Sequence, residues 1–360
     1  MVKVKDKAKD KTTVFDSITP RQLAVSMQLE AKTLIYSDDD LPRCDKVNIP
    51  NADNHVLLLE VANAVELFLS TDRLAYETRP NGQCLKNQWF NRLTTRLDHL
   101  LQAPHEKYIC CPAIHAFFHA AEQAGLISLT ASDPETVNRF VDYVRKAMSS
   151  KAIDDAYRNL IRRSEDNFDS ANLLIDTLFA RYARLLVIRV DLHYQQQFAK
   201  AVTLKQVKAD LKRMANNARS NKRIFGGLVG RIFCIEYGEL TGIHAHCIFF
   251  FDGSLRQKDA AIAEQIGQYW ATTITHGKGR YYNCHRSRNK YKRLCIGRIE
   301  YDDHAKRETL TTCVAYITKV EQFLVYREFE GDRAFMRSEL PPIPEIKPGR
   351  PRADMPPKAA

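Results

Sequence analysis

The stretch RIFCIEYGELTGIHAHCIFFFD, residues 231–252, has the pattern of a β-hairpin, because two apolar and aromatic runs flank the turn sequence GELTG. Residues two apart in a strand point to the same face, so His244 and His246 are predicted to project together. If the turn is symmetric about Leu240, Glu236 lies directly opposite His244, with the two Cβ atoms about 5 Å apart. The hairpin is therefore predicted to present one carboxylate and two imidazoles on a single face.

One carboxylate and two imidazoles suit a divalent cation and leave coordination positions open for a substrate oxygen, as in a catalytic site. The His-x-His pattern alone is weak, because 11 histidines in 360 residues give about 0.3 such pairs by chance. The alternative is an ordinary hairpin with polar residues on its wet face. The opposed Glu236 and the apolar strand that follows the histidines favour the metal site.

The composition is that of a globular protein with a polyanionic partner. Lys and Arg number 54 against 43 Asp and Glu, and the formal net charge of +11 favours nucleic acid first and an anionic membrane surface second. The nine cysteines include no C-x-x-C pair, which indicates reduced thiols in a cytosol. The most apolar run, residues 56–69, is interrupted by Glu60 and Glu66, so no membrane span is predicted.

The chain is predicted to be α+β, with an N-terminal mostly helical domain followed by a five-stranded antiparallel sheet flanked by helices. The sheet is predicted from the order strand, helix, hairpin, helix, strand, helix, strand, which begins at residues 185–194 and ends at 323–329. The predicted segments are a flexible basic leader (1–45), a helical domain of undetermined role (46–180), the sheet domain (181–335) and a disordered Pro-rich basic tail (336–360).

A strongly basic loop, HGKGRYYNCHRSRNKYKR at residues 276–293, precedes the fourth predicted strand. It interleaves tyrosines with cations, a mixture that stacks bases and neutralises phosphates on a single strand. The alternative is a solvated surface loop, which does not require aromatic residues among so many cations. The predicted DNA-binding residues are Lys278, Arg280, Tyr281, Tyr282, Arg286, Arg288, Lys290 and Tyr291.

A second candidate for chemistry is the pair Tyr316 and Lys319, which a helix predicted over residues 309–320 places on one face. A tyrosine oxygen can attack a phosphodiester and hold it covalently, and a lysine ammonium can stabilise the charge that develops. The Y-x-x-K pattern alone is weak, because Tyr143 and Lys146 match it too. That second match lies outside the β-rich domain, on a predicted helix whose apolar residues form a buried stripe. It is therefore predicted to have a structural role and no catalytic one.

Taken in order, these motifs resemble those of HUH endonucleases that start rolling-circle replication. They are the strand LLVIRVDLHY, then Glu-x7-His-Ala-His, then Tyr-x-x-Lys. More narrowly, GIHAHCIFFFDGS, IGQYW, HGKGRYYNCH, IGRIEYDD and AYITKVEQ resemble the inovirus replication-initiator (gene II product) family, whose prophage members include the YagK/YfjJ C-terminal domain family. The resemblance covers residues 183–329.

The resemblance implies an HUH-type nicking domain and a single-strand nick at a replication origin, in the cytoplasm of a bacterial host. The activity would initiate rolling-circle replication of a filamentous phage or prophage, with origin DNA and host replication proteins as partners. It implies Mg²⁺ or Mn²⁺ on His244 and His246, with Glu236 as the acidic ligand. It further implies a 5′-phosphotyrosine on Tyr316, assisted by Lys319.

The match has one departure and leaves alternatives open. Initiators with two tyrosines have the second about one turn away, whereas Thr312 and Val320 occupy those positions here. A single nucleophile would need another way to end the cycle, such as a second subunit. Asp191 and His193 end the first strand and could reach the metal, with His193 as an auxiliary ligand. The alternative functions are a non-catalytic prophage DNA-binding regulator and a related HUH transposase or plasmid relaxase.

Overall fold

The computed structural model describes most of the chain from residue 54 to residue 342, and the described residues form two compact units. The predicted leader, and the predicted tail beyond residue 342, lie outside them. The first unit contains described residues up to 105 and residues 112–154, and the second contains residues 108–111 and 155–342. The described ranges are 54–94, 96–103, 105, 108–128, 131–238, 241–286, 288, 294–319, 324–326 and 332–342.

The first unit is mostly helical around an aromatic core in which the Phe140 ring packs edge-on against the rings of Phe68 and Phe117. Its last helix begins at Pro134, directly after a capping residue: the Asp133 side chain accepts a hydrogen bond from the Thr136 amide at 2.9 Å. The elements are α1 (Asn54–Leu69), β1 (Tyr76–Thr78), β2 (Cys84–Lys86), α2 (Gln88–Thr94), α3 (Leu97–Leu101), α4 (Pro112–Ala124) and α5 (Pro134–Met148).

The second unit surrounds one large antiparallel sheet. A π-helical turn, Trp270–Ile274, extends one of its helices. Its elements are β3 (Tyr108–Cys110), α6 (Lys151–Arg181), whose first turn belongs to the first unit, β4 (Arg184–Tyr194), α7 (Gln196–Ala199), α8 (Leu204–Asn217), α9 (Lys222–Phe225), β5 (Leu228–Gly238), β6 (Gly242–Asp252), α10 (Asp259–Tyr269), β7 (Gly279–Asn283), β8 (Gly297–Glu300), α11 (His304–Lys319), β9 (Leu324–Tyr326) and β10 (Phe335–Arg337).

The order of strands in the sheet is β10-β5-β6-β4-β7, and β8 pairs with β4 on the same side as β7. The α+β class with an antiparallel sheet is confirmed, and the sheet has six strands where the sequence predicted five. The extra strand β7 lies within the stretch predicted as a basic loop. The described part of the last predicted strand, β9, pairs with β3 in a separate two-stranded sheet, while β10 takes the place beside β5.

Helices cover both faces of the sheet, which explains why its central strands are apolar almost throughout. One face packs on α8, α10 and the π-helical turn, with Val190 and Leu192 of β4 in that core. The other face packs on α6 and α11, with Val187 of β4 and Phe250 of β6 in that core. The polar ends of β4, β5 and β6 continue this second face beside α11, and they contain the predicted site. No helix in the described part of the chain is long and apolar enough to cross a membrane.

Candidate metal centre

The hairpin of β5 and β6 has the register that its sequence predicts. Glu236 lies opposite His244, and Cys234 lies opposite His246. One potential ligand atom from each of Glu236, His244 and His246 lies within 4.8 Å of the other two, and we call these three residues the triad. Glu236 Oε2 is 2.8 Å from His246 Nε2 and 4.0 Å from His244 Nε2. The predicted set of one carboxylate and two imidazoles is therefore assembled by the fold.

Both imidazoles of the triad are held so that Nε2 faces Glu236. On the other side of each ring, His246 Nδ1 lies 2.9 Å from Asp191 Oδ1, and His244 Nδ1 lies 3.0 Å from the Gly242 carbonyl oxygen. Each Nδ1 has an acceptor for a ring hydrogen, so Nε2 is the nitrogen of each ring that would bind a cation, with His246 giving up the hydrogen between its Nε2 and Glu236 as the cation binds. Metal-binding histidines are usually oriented by such contacts to a carboxylate or a carbonyl. The donor set and its orientation fit a divalent cation.

The strongest electrostatic coupling of the triad is to Asp191, which lies opposite His246 in the pairing of β4 with β6. Burial alone lowers the pKa of His246, but the Asp191 and Glu236 carboxylates outweigh it and raise that pKa to about 9. Burial would raise the pKa of Asp191, but Arg189 and His246 hold it below the usual range. Burial, with the nearby charge of His246, lowers the pKa of His244. Two carboxylates thus converge on the His246 ring.

A third histidine, His193, adjoins the triad. Its ring is only 4% exposed and stacks on the His244 ring, with centroids 4.7 Å apart and planes 12° apart. Neither of its ring nitrogens has a hydrogen-bond partner among the described residues. Burial, followed by the charge of His244, lowers its pKa well below the ordinary value, so the ring is neutral. A buried donor without a partner costs about 1–3 kcal/mol, which makes His193 a candidate ligand in addition to the triad.

Helix α11, which contains Tyr316 and Lys319, lies on the same face of the sheet as the triad. The Cys234 thiol, two residues before Glu236 on β5, donates to the Ile317 carbonyl oxygen at 2.9 Å. One turn earlier on the helix, Cys313 Sγ accepts a hydrogen bond from Arg189 at 3.8 Å. The fold therefore places the helix of the Y-x-x-K motif beside the metal face. The helix spans His304–Lys319, and Val320, its predicted end, lies outside the described residues.

Part of the predicted DNA-binding set adjoins the triad. Arg280 and Tyr282 on β7 lie opposite His193 and Asp191 on β4, so they share the face that carries the triad. Arg280 Nε also donates to the Tyr194 carbonyl oxygen at 3.1 Å. Lys278, just before β7, is exposed. Arg280 and Tyr282 are therefore the two members of the predicted set that lie beside the triad.

Other members of that set have partners within the protein. Tyr281 points to the opposite face, packs over Gly267 of α10 and donates its hydroxyl hydrogen to Glu264 at 2.5 Å. Burial and the Glu264 carboxylate raise the pKa of Tyr281 to about 12. Arg286 forms an ion pair with Glu264 at 3.1 Å. The aromatic and cationic side chains of this stretch thus divide between the two faces of β7.

The remaining predicted DNA contacts lie at the far end of the basic stretch. Arg288 forms an ion pair with Asp259 at the start of α10. Lys290 and Tyr291 lie outside the described residues. Of these three predicted DNA contacts, only Arg288 lies in the described part of the chain, and its ion pair joins it to α10.

The orienting pair Arg189 and Asp191 was not identified from the sequence as a unit. Arg189 Nε lies 3.2 Å from Asp191 Oδ1, and both side chains are 8% exposed. A signal was present, because two charged residues interrupt the otherwise apolar strand LLVIRVDLHY, and buried charges are rare unless paired. The structure shows that Asp191 contacts Nδ1 of His246, the ring nitrogen that faces away from Glu236.

These features define an α+β protein with a carboxylate and two histidines on one face of an antiparallel sheet, under a helix that carries Tyr316. The sequence profile of the YagK/YfjJ C-terminal domain family matches residues 149–335, and the chain belongs to this family. The matched range includes the triad and α11. No curated protein and no solved structure matches the chain.

Proposed function

We propose that the chain is a metal-dependent endonuclease that nicks and rejoins single-stranded DNA through attack of Tyr316 on a phosphodiester. The observation that supports this most strongly is the position of α11, the helix of Tyr316 and Lys319, on the face of the sheet that carries the triad. A nucleophile for phosphoryl transfer must lie in line with a phosphate that a cation polarises. A helix packed beside the cation site can meet that requirement.

The chemistry divides between the triad and the Y-x-x-K motif. Bound Mg²⁺ or Mn²⁺ would withdraw electron density from the scissile phosphate. The Tyr316 oxygen forms a bond to phosphorus, its proton passes to water, and the bond from phosphorus to the 3′ oxygen breaks as that oxygen takes up a proton. Lys319 stabilises the negative charge that develops. The products are a 5′-phosphotyrosine and a free 3′-hydroxyl, and the reverse reaction joins the strand.

The supporting residues fix the triad before the cation binds. Asp191 orients the His246 ring through Nδ1, and the Gly242 carbonyl oxygen does the same for His244, so that Nε2 of each ring faces the cation position. His193 supplies an auxiliary ligand beside His244. Because these contacts already exist in the protein, little reorganisation is needed on cation binding.

The products of this reaction suggest the biological role. A 3′-hydroxyl at a nick primes DNA synthesis, so the reaction would initiate rolling-circle replication of a filamentous phage or prophage. Host replication proteins in the bacterial cytoplasm would extend the primer. The DNA strand would run along the face of β7 that carries Arg280 and Tyr282, where a cation and an aromatic ring suit single-stranded DNA.

The test is to incubate the full chain with single-stranded phage or prophage DNA and Mn²⁺ and to look for a covalent adduct that survives SDS. Peptide mass spectrometry should locate the adduct on Tyr316, and Tyr316→Phe should abolish it. Tyr143→Phe is the matched control, since it alters the other Y-x-x-K match, on α5, and should leave the adduct unchanged.

Two results would overturn the proposal: no adduct with the wild-type chain, or an undiminished adduct with Tyr316→Phe. Tight binding to DNA without any adduct would indicate a non-catalytic regulator of a prophage. A nick mapped to the end of a mobile element, or to a plasmid transfer site, would indicate a transposase or a relaxase.

A further inference from the structure

A pocket of about 330 Å³ lies where the end of β4 meets the start of α8 and the segment before β7. Its volume is at the small end of ligand sites, about enough for one nucleotide and too small for a longer segment of a polymer. Its wall combines three basic side chains with an aromatic and aliphatic surface. The residues used below are Phe198, Val202, Thr203, Arg213, His276 and Lys278.

The polar side of the pocket is built around Arg213. Its Nη1 donates to the Ile274 carbonyl oxygen at 2.8 Å and lies 3.3 Å from His276 Nε2. The side chain remains 44% exposed, so this fixed guanidinium still faces solvent. His276 has a φ of 51°, a left-handed conformation that costs energy outside glycine and is often retained at functional sites. Lys278 adds an exposed ammonium group to the same side.

The start of α8 strengthens the attraction for an anion. Thr203 lines the pocket and caps this helix, its hydroxyl oxygen accepting from the Gln206 amide at 3.3 Å. The N-terminus of a helix carries a partial positive charge and exposed N–H groups, both of which favour phosphate. With Arg213, His276 and Lys278 beside it, the polar side has the character of a phosphate site.

One buried carboxylate, that of Asp210, lines the pocket and forms an ion pair with Arg213. Asp210 is 2% exposed, and its Oδ2 accepts from the Tyr194 hydroxyl at 2.8 Å and from Gln206 at 3.0 Å. Its Oδ1 lies 3.6 Å from Arg213 Nη1. The charge of Asp210 is thus partly balanced by Arg213 and by the Tyr194 and Gln206 donors, while the exposed part of the Arg213 guanidinium remains open to an anion.

The remaining wall is apolar and includes an aromatic ring. Phe198, Ala201 and Val202 line it, and the Lys278 ammonium lies 5.9 Å from the centre of the Phe198 ring. A nucleobase stacks on such a ring whatever its sequence, and a nearby cation accompanies the stack in many single-strand binding sites. A phosphate site beside an aromatic wall matches a nucleotide better than it matches inorganic phosphate.

The pocket lies at the same end of β4 as the metal centre but on the other face of the sheet. Tyr194, which lines it, follows His193 on β4, so the two side chains point to opposite faces. Gly242, at the start of β6, approaches α7 so closely that a Cβ there would lie 2.8 Å from the Ala199 carbonyl oxygen. That contact brings the Phe198 segment against the strand of His244. A DNA strand that passes around this end of the sheet can place one nucleotide in the pocket while a neighbouring phosphate lies at the triad.

We infer that this pocket binds one nucleotide of single-stranded DNA beside the scissile phosphate. The base lies against Phe198, and the phosphate lies between Arg213, His276 and Lys278 at the start of α8. The inference rests on the proposed function for the identity of the strand, but binding in the pocket requires neither the cation nor cleavage.

The binding test uses the full chain in EDTA with a fluorescent single strand of about 15 nucleotides, long enough to cover the site of one small domain. Phe198→Ala and Lys278→Gln should each raise the Kd about 5- to 10-fold, since one stacked base or one phosphate contact is lost. Lys212→Gln is the control, because it removes the same charge from an exposed position of α8 that does not line the pocket. Effects of Phe198→Ala and Lys278→Gln no larger than that of Lys212→Gln would overturn the inference.

A second measurement locates the nucleotide directly. Strands with 5-iododeoxyuridine at successive positions are cross-linked to the wild-type chain in EDTA, and the attached peptides are sequenced. We expect one position to cross-link to the peptide that contains Phe198, and cross-links confined to other peptides would refute the pocket. No step of this measurement requires cleavage, so the two proposals can fail separately. The cross-link without a covalent adduct would reject the nuclease activity and support the nucleotide pocket. A covalent adduct without the cross-link would support the nuclease activity and reject the pocket.

Discussion

Replacing Asp191 by Asn should weaken metal binding although Asp191 is not a member of the triad. Its carboxylate lies 2.9 Å from His246 Nδ1 and is held in turn by Arg189 at 3.2 Å. The substitution keeps the size of the side chain and removes its charge. His246 then loses the anion that fixes its ring and makes its Nε2 a stronger donor to a cation.

The size of the effect follows from the burial of the contact. Loss of such an outer carboxylate typically costs about 10- to 100-fold in metal affinity, or about 1.4–2.8 kcal/mol. Asp191 is 6% exposed, so water cannot replace the lost charge, and the upper half of that range is expected. The free energy of unfolding should fall as well, because the buried Arg189 loses its carboxylate partner, and breaking a buried pair costs about 3–5 kcal/mol.

The assay is isothermal titration of the full chain with Mn²⁺ near neutral pH, with thermal unfolding measured in parallel. Asp210→Asn is the matched control, since it removes another buried carboxylate of the same sheet domain that contacts Tyr194 instead of the triad. We expect Asp210→Asn to lower stability and leave the Mn²⁺ Kd within twofold to threefold, as is usual for a substitution remote from the ligands. An equal Kd for Asp191→Asn and Asp210→Asn would refute the role assigned to Asp191.

Four further outcomes are expected. Glu236→Ala should abolish metal-dependent cleavage while single-strand binding, measured by anisotropy, persists. His193→Phe keeps the stack on the triad but removes both ring nitrogens, so the Mn²⁺ Kd should rise about tenfold. Burial lowers the pKa of His285 to about 4, so the unfolded chain takes up its proton first as pH falls below about 6.5. Urea unfolding should therefore show about 1–2 kcal/mol of stability lost from pH 7 to 5 that His285→Gln does not lose. Gly267→Ala should cost about 1–3 kcal/mol in the same assay, because a Cβ there overlaps the Tyr281 ring.

The core of the candidate site could be predicted from the sequence because its determinants are local. The alternation of side chains along a strand and a short turn fix which residues of a hairpin oppose one another. These rules correctly paired Glu236 with His244 and placed His246 on the same face.

Which segments joined the main sheet could not be predicted, because this depends on pairing between strands far apart in the chain. The stretch GRYYN is too polar to resemble a central strand, and it becomes β7 because the free edge of β4 offers it hydrogen-bond partners. The segment that includes β9 was expected in the main sheet, but β9 pairs with β3, more than 200 positions earlier. Such choices depend on the burial and hydrogen bonding of the whole sheet, which no short pattern contains.

The sequence by itself determined the chemical content of this protein: a hairpin that presents a carboxylate and two imidazoles, a downstream Y-x-x-K helix and a basic, aromatic stretch. Only the tertiary structure decided how these parts meet. It placed α11 on the face of the sheet that carries the triad and paired β4 with β6 so that Asp191 contacts His246, 55 positions later in the chain. It also divided the basic stretch between the two faces of β7. The physical reason is the distance along the chain over which each interaction acts. Backbone periodicity and turns act over a few residues, whereas buried charges and packed helices contact their partners only when the complete sheet forms.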